Sequence, residues 1–401
     1  MRVARVALDN SNERVSIIVD DDDCPIDDLN YYIITELRGK ADNTLRNAVY
    51  ALLHIHRFAL KKDISLLDEM STKCFESSTL FTSFINHLQQ KSPKSDDVVT
   101  DIKPELVQPD HFDSRIDAAK KYLSYLFEYG ISKRRMDDPL RVSLNDSFNR
   151  LMAKLESRKL KDSSKPSTEG LSIFQQASLF KALEHREFCD WNELTLKRNK
   201  LIVYLFYATG IRKGELASLT IPNCHTNVPA PYIFTTENVK HIDPRMDVPH
   251  EKTRERIIPI STQLAQMIED YKAERSKSDE AKKQPPFLLL STHTPHPPMS
   301  MSSIGKIFSS IVKAIPDIDR LGAHKIRHTF FENLDRHLAN NSYTDEEKKK
   351  IKNNIGGWSI RSNTSETYEI LSTREQCVEV LSKLQKDQDE SYGNEQDLLP
   401  F

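Results

Sequence analysis

Apolar residues recur three and four positions apart along most of this chain, and that recurrence predicts a mainly helical protein. In the first half, Thr44 to Lys62, Phe75 to Lys91, Phe112 to Tyr129 and Val142 to Arg158 each carry such a stripe. Thr44 is the expected N-cap of the first helix, whose inward face is Ala48, Val49, Leu52, Ile55, Ala59 and Leu60. The pattern resumes at Leu171 with LSIFQQASLFKAL and stays mostly helical to about Leu371. Two β-rich runs, Tyr232 to Thr236 and Arg256 to Ile260, interrupt it and predict a small sheet. Alternation over Val3 to Val6 and Val15 to Val19, around Asn10, Ser11 and Asn12, predicts a hairpin ahead of the helices. At the other end, Thr373 to Lys386 places Val378, Leu381 and Leu384 on one face. Residues 158–170 are rich in Ser, Lys, Pro and Gly with almost no apolar content, which reads as a linker. The expected layout is a hairpin-like extension (1–26), a helical domain (27–157), the linker, a second domain (171–387) and an acidic tail (388–401).

Composition narrows the chemistry. No apolar run approaches the roughly 20 residues of a membrane span, and the N-terminus lacks the apolar stretch of a secretion signal, so a cytoplasmic protein without membrane partners is expected. Cys24, Cys74, Cys189, Cys224 and Cys377 are scattered with no CxxC pair; they read as buried free thiols, and no metal site is expected. With 10 glycines and neither GxGxxG nor GxxxxGK[ST], the chain lacks the usual phosphate cradles, and no cofactor is expected. The net charge of −2 conceals a division: residues 1–30 and 369–401 each hold 3 basic and 8 acidic groups, leaving +8 on residues 31–368.

That basic body directs attention to nucleic acid. On the first long helix Arg46, Tyr50, His54, Arg57 and Lys61 step by four, four, three and four, which aligns them in one stripe. Such a stripe suits a phosphate backbone, although a solvated helix face has the same pattern. Lys133, Arg134 and Arg135, beyond the third long helix, are further backbone-contact candidates.

Three clusters in the second domain carry candidate chemistry. In Ala208-Thr209-Gly210-Ile211-Arg212-Lys213-Gly214-Glu215-Leu216, Gly210 ends one helix and another begins near Arg212, so that Glu215, three positions on, can hold the arginine. A positioned guanidinium matches a phosphate's oxygens, but a structural ion pair has the same sequence. In Gly322 to Phe331, Ile326, Phe330, Leu334 and Leu338 form a packed face beside His324 and Arg327. The third cluster, Ile355-Gly356-Gly357-Trp358, follows a helix with a Thr344–Glu347 capping box and precedes Tyr368 by ten positions from the tryptophan.

Taken together, these clusters resemble the tyrosine recombinases of the phage integrase family. The match is to the first arginine box (Thr209 to Arg212 with Glu215 and Leu216), the His-x-x-Arg-His box (His324, Arg327, His328) and the terminal box ending in Tyr368. The family's β-hairpin lysine is matched by Lys252, with Lys240 as a fallback. Two departures stand out: Trp358 occupies a position where most members have His, and ten positions rather than the commoner nine separate it from Tyr368.

The resemblance implies a two-domain DNA clamp, with 27–157 as the core-binding domain and 171–387 as the catalytic domain. It implies Tyr368 as the nucleophile that forms a 3′-phosphotyrosyl link, Arg212 and Arg327 as the phosphate clamp, and Glu215 and Trp358 as supports. His324 is then the residue that assists proton removal and Lys252 the residue that protonates the leaving 5′-oxygen. The implied partners are double-stranded DNA with specific recombination sites, three further copies in a tetramer linked by exchange of the C-terminal helix, and accessory DNA-bending proteins. Integration or excision of a mobile element, in a prokaryotic cytoplasm on the nucleoid, is the implied setting. A type IB topoisomerase-like nicking-closing enzyme and a catalytically inactive architectural DNA-binding protein are the alternatives.

Overall fold

The computed structural model describes residues 1–7, 13–40, 42–91, 105–160, 169–184, 191–236, 242–249, 255–283, 286–339, 341–358, 377–387 and 390. The chain divides into two units, 1–166 and 167–401, each mainly helical with one small antiparallel sheet.

In the first unit, β1 (Arg2–Ala7) and β2 (Arg14–Val19) form an antiparallel hairpin in the register Arg2↔Val19 to Ala7↔Arg14. The helices are α1 (Asp27–Tyr32), continued by a π-helical turn over Ile33–Leu37, then α2 (Asp42–Lys62), α3 (Leu66–Thr72), α4 (Ser78–Gln89), α5 (Pro109–Ser132) and α6 (Pro139–Ser157). The hairpin shares the helices' core, because Val15 and Ile18 bury among Leu29, Ile33, Val49 and Leu52. Asn30 seals the join, accepting from the Ile18 N–H at 2.8 Å and donating to its carbonyl at 2.7 Å, so its amide does the work of a strand neighbour. Arg5 pairs with Asp42 on α2. That pairing belongs to a helix that starts at Asp42 rather than capping at Thr44. On α2 the buried face comprises Leu45, Val49, Leu52, Ile55, Phe58 and Ala59, while Leu60 is exposed. Leu60 was expected inside, but it falls on the far side of a face centred on Phe58. Phe75 is buried yet precedes α4, whose cap is the Ser77 side chain.

The second unit is built on α7 (Ile173–Glu184), α8 (Glu193–Thr209), α9 (Lys213–Ser218), α10 (Thr262–Arg275), α11 (Asp279–Lys282), α12 (Met301–Val312), α13 (Ala323–Ala339) and α14 (Asp345–Gly356). Its sheet is β3 (Cys224–His225), β4 (Tyr232–Thr235) and β5 (Arg256–Pro259), in that order and antiparallel. Leu201, Ile202, Val203, Leu205 and Phe206 make α8 apolar around most of its girth, as a helix at the centre of a core must be. On α13, Ile326, Phe330, Leu334 and Leu338 are each 0% exposed, the face that their three- and four-residue spacing predicts.

The terminal helix, described over residues 377–387, lies against its own unit through Cys377, Val380, Leu381 and Leu384. Val378 is 40% exposed, so the inward face runs through Val380 instead. Buried Gln385 donates to the Ala208 and Pro259 carbonyls at 3.2 and 3.1 Å. The segment read as a linker is held at both ends: the Leu160 N–H donates to Asp113, the Gly170 N–H to Glu332 and the Leu171 N–H to Thr329, and residues 161–168 between them lie outside the described residues. Cys24 is exposed on its acidic turn, which corrects its reading as a buried thiol; Cys74, Cys224 and Cys377 are buried.

Candidate active site

Gly210 ends α8 in the left-handed conformation (φ 59°, ψ 21°), with its N–H on the Phe206 carbonyl at 3.0 Å. The chain reverses at once, buries Ile211 and places Arg212 at the N-cap of α9. There the Glu215 Oε2 accepts from the Arg212 backbone N–H at 2.9 Å, satisfying one of the helix's orphan donors. The Arg212 guanidinium turns elsewhere, and its Nη1 donates to the Gly356 carbonyl at 2.6 Å.

Gly356 closes α14, whose start is fixed by the Thr344–Glu347 capping box and whose end turns at Gly357 (φ 62°). The Gly357 and Trp358 N–H groups bond to the Asn354 and Asn353 carbonyls at 3.1 and 2.9 Å. Arginines take the next two carbonyls. Arg327, from α13, donates through Nη2 to Gly356 at 3.0 Å and through Nη1 to the Gly210 carbonyl. Arg256, from β5, donates through Nε to Ile355 at 2.9 Å. Three guanidiniums thus gather at the negative end of one helix.

Among the described residues, their carboxylate partner is Glu215. Arg256 holds it bidentately, at 2.7 and 2.9 Å, whereas Arg212 Nη1 approaches no nearer than 3.5 Å. The sequence paired Glu215 with Arg212; the fork-to-fork pair is with Arg256, 41 positions away, which sequence reading missed. The signal available was a lone arginine opening an apolar strand. Burial chiefly lowers the pKa of Arg212, helped by Arg256 and opposed by Glu215. Burial pushes that of Arg327 down to about 9, helped by Arg212. A guanidinium keeps its proton in a protein, so these depressions register positive charges buried close to one another.

Trp358 folds back over Gly356, where a Cβ would lie 2.7 Å from the indole. The ring meets Phe331 at 4.9 Å, and both aromatics lie beside the Arg327 guanidinium, at 5.5 and 4.9 Å from their centroids. One turn before Arg327, His324 is exposed with its Nε2 3.0 Å from that of His328. Burial, then His324 and Arg327, lower the His328 pKa against the pull of Glu332. Arg212, Glu215, Arg327 and Trp358 therefore come together, with His324 on the same face of α13 as Arg327. Lys252, Lys240 and Tyr368 lie outside the described residues.

Residues 175–351 match the model of the phage integrase family, a stretch that contains Arg212, Glu215, Arg256, His324 and Arg327 and stops short of Trp358. Over that stretch the chain is similar to the phage integrase family, whose curated relatives include tyrosine recombinases. The tyrosine recombinase XerC of Staphylococcus epidermidis is 26% identical over 160 residues, which are 40% of this chain and 46% of that protein, so the chain spans less than half the length of this relative. The XerC of Thermodesulfovibrio yellowstonii is 22% identical over 55% of this chain and 60% of its own. Among solved structures, the XerA recombinase covers 86% of this chain and 97% of its own at 16% identity, with a TM-score of 0.35.

The basic residues expected along the first unit are not one surface. His54 is 3% exposed and stacked on His87 at 4.2 Å, its Nε2 2.7 Å from the His87 carbonyl, so it breaks the stripe. Arg57 donates to the Met1 carbonyl at 2.8 Å. Arg46 is half-buried, while Tyr50 and Lys61 are exposed. Lys61 borders a cavity of about 640 Å³ with Lys62, Ser78, Thr82, Ser83 and Asn86. Beyond α5, Lys133 sits over the Tyr129 ring at 4.0 Å and Arg135 is exposed near Asp137. Arg134 is spent within the fold, on Asp138 at 2.9 Å and the Ser71 carbonyl at 2.7 Å.

Proposed function

We propose that this chain is a site-specific DNA recombinase that cuts and rejoins strands through a 3′-phosphotyrosyl intermediate, for integration or excision of a mobile element. The observation that carries the reading is the gathering of positive charge at the end of α14: among the described residues, three guanidiniums meet one carboxylate, with Arg212 only partly buried. A phosphodiester supplies the missing anion, and its charge grows as the phosphorus becomes five-coordinate, so fixed cations favour the transition state over the ground state.

In this reading the Tyr368 hydroxyl attacks the scissile phosphorus. The bond to the 5′-oxygen breaks and a phosphotyrosyl bond replaces it. A phenol is mostly protonated at neutral pH, so His324 takes its proton, while Lys252, or Lys240 in its stead, protonates the departing 5′-oxygen. One phosphodiester is exchanged for another, so a 5′-hydroxyl from a second duplex reverses the step without ATP. Arg212 and Arg327 clamp the non-bridging oxygens, and Trp358 steadies Arg327 by stacking rather than proton transfer, since an indole has no acceptor.

The core-binding and catalytic domains expected at 27–157 and 171–387 would both contact the duplex. Tyr50, Lys61, Lys133 and Arg135 are the contacts we retain for its backbone. Four copies on paired sites, linked by exchange of the helix over 377–387 and aided by accessory bending proteins, complete the assembly on a prokaryotic nucleoid.

The test is covalent capture from a library of nicked duplexes with randomised centres. Partitioning of a defined sequence class with the protein after phenol extraction supports the reading, and ligation of one duplex to another separates recombination from simple nicking and closing. Failure to retain any sequence would refute it.

A further inference from the structure

The three arginines at the end of α14 are not equivalent. Arg256 is 5% exposed, and all three of its nitrogens are committed: both Nη atoms to Glu215 at 2.7 and 2.9 Å, and Nε to the Ile355 carbonyl at 2.9 Å. Arg212 has a side chain 27% exposed, and its Nη1 stands 3.5 Å from Glu215 Oε1. Glu215 is three positions from Arg212 on the same short helix, so a small rotation would turn that approach into a full ion pair.

We infer that Arg256 is a positioning residue whose task is to occupy Glu215, so that Arg212 keeps its charge for the substrate phosphate. The nature of that substrate rests on the recombinase reading above; the electrostatic argument does not. A buried carboxylate deprived of its partner takes the nearest cation. Without Arg256, the nearest such cation among the described residues is Arg212, 3.5 Å away, and the clamp falls from two available positive charges to one. Glu215 also accepts from the Arg212 N–H, a task that a glutamine oxygen performs equally well. Removing the carboxylate's charge together with Arg256 should therefore return what removing Arg256 alone takes away. A purely structural role predicts the opposite, because the double variant loses one interaction more.

The experiment compares wild type, Arg256→Met, Glu215→Gln and the double variant, first by calorimetric titration with inorganic phosphate and then by single-turnover cleavage of a captured duplex. Arg256→Met should bind phosphate about tenfold more weakly or worse, and the double variant should regain most of that loss in both assays. Should Arg256→Met not fold, Arg256→Gln, which retains a donor for Ile355, replaces it in both backgrounds. A double variant no better than the single, an Arg256→Met protein that binds phosphate like wild type, or a wild type that binds none would each overturn the inference. A wild type that binds phosphate, with the double variant recovering, but cleaves no duplex would leave the inference standing and remove the recombinase reading instead.

Discussion

Replacing Gly210 by alanine tests whether the turn between α8 and α9 sets the arginine cluster. The residue lies at φ 59°, and a Cβ there would sit 2.3 Å from Cδ1 and 2.7 Å from Cε1 of Phe330. Two penalties combine. A left-handed backbone costs an alanine about 1 to 2 kcal/mol, and forcing a methyl group into a packed core costs about 1 to 3 kcal/mol. Phe330 is 0% exposed within the second unit's core, so little of the second penalty relaxes. The expected loss of about 2 to 5 kcal/mol lowers the melting temperature of a unit this size by at least about 4 °C. The Gly210 carbonyl also accepts from Arg327, so the displaced turn takes the clamp with it, and cleavage should fall about tenfold or more. Calorimetric melts of Gly210→Ala, Gly210→Asn, Phe330→Leu and the Gly210→Ala/Phe330→Leu pair divide the two terms. Asparagine tolerates the left-handed backbone but keeps the clash, and the pair should couple favourably by at least about 1 kcal/mol. A Gly210→Ala protein that melts within about 2 °C of wild type would refute the reasoning.

Other outcomes follow from the same contacts. Burial chiefly holds His54 down to about 3 in the folded state, and the Arg115 charge adds to the shift, while His87 is also lowered by burial. A histidine depressed on folding contributes stability above its unfolded value of about 6.5, and that contribution is lost as pH falls through the window from about 6.5 to 3. By pH 5 the first unit should have lost about 2 kcal/mol through His54 alone, visible as faster intrinsic-rate-corrected hydrogen exchange across α2; unchanged protection would contradict this. Trp358→Ala removes a ring worth about 0.5 to 2 kcal/mol to Arg327 and should slow single-turnover cleavage by about 2- to 30-fold without moving its pH profile, whereas a displaced profile would give the indole a role it lacks here. Cleavage should run equally fast in EDTA, since guanidiniums supply the charge; a loss beyond about tenfold would call for a metal.

Short-range chemistry was legible in the sequence, and long-range pairing was not. The Gly210 break, the Thr344–Glu347 capping box and the buried stripe of α13 all depend on residues a few positions apart, where spacing alone fixes geometry. Arg256 and Glu215 lie 41 positions apart and are brought together only by the tertiary fold, so no local pattern announces their pair. Polarity misled in the same way at His54, whose partner His87 stands on another helix and lets an imidazole stay buried inside an apparently basic stripe. Leu381 and Leu384 turn inward as their spacing predicts, but Val378 lies at the edge of that stripe, and Cys377 and Val380 complete the buried face in its place.

The central claim is that one phenol carries the covalent step beside the arginine cluster. Digesting the trapped protein–DNA adduct with protease and nuclease and sequencing it by mass spectrometry tests this directly. The account predicts a nucleotide on the peptide containing Tyr368 and none in the Tyr368→Phe protein; an adduct on another residue, or one that survives that substitution, would contradict it.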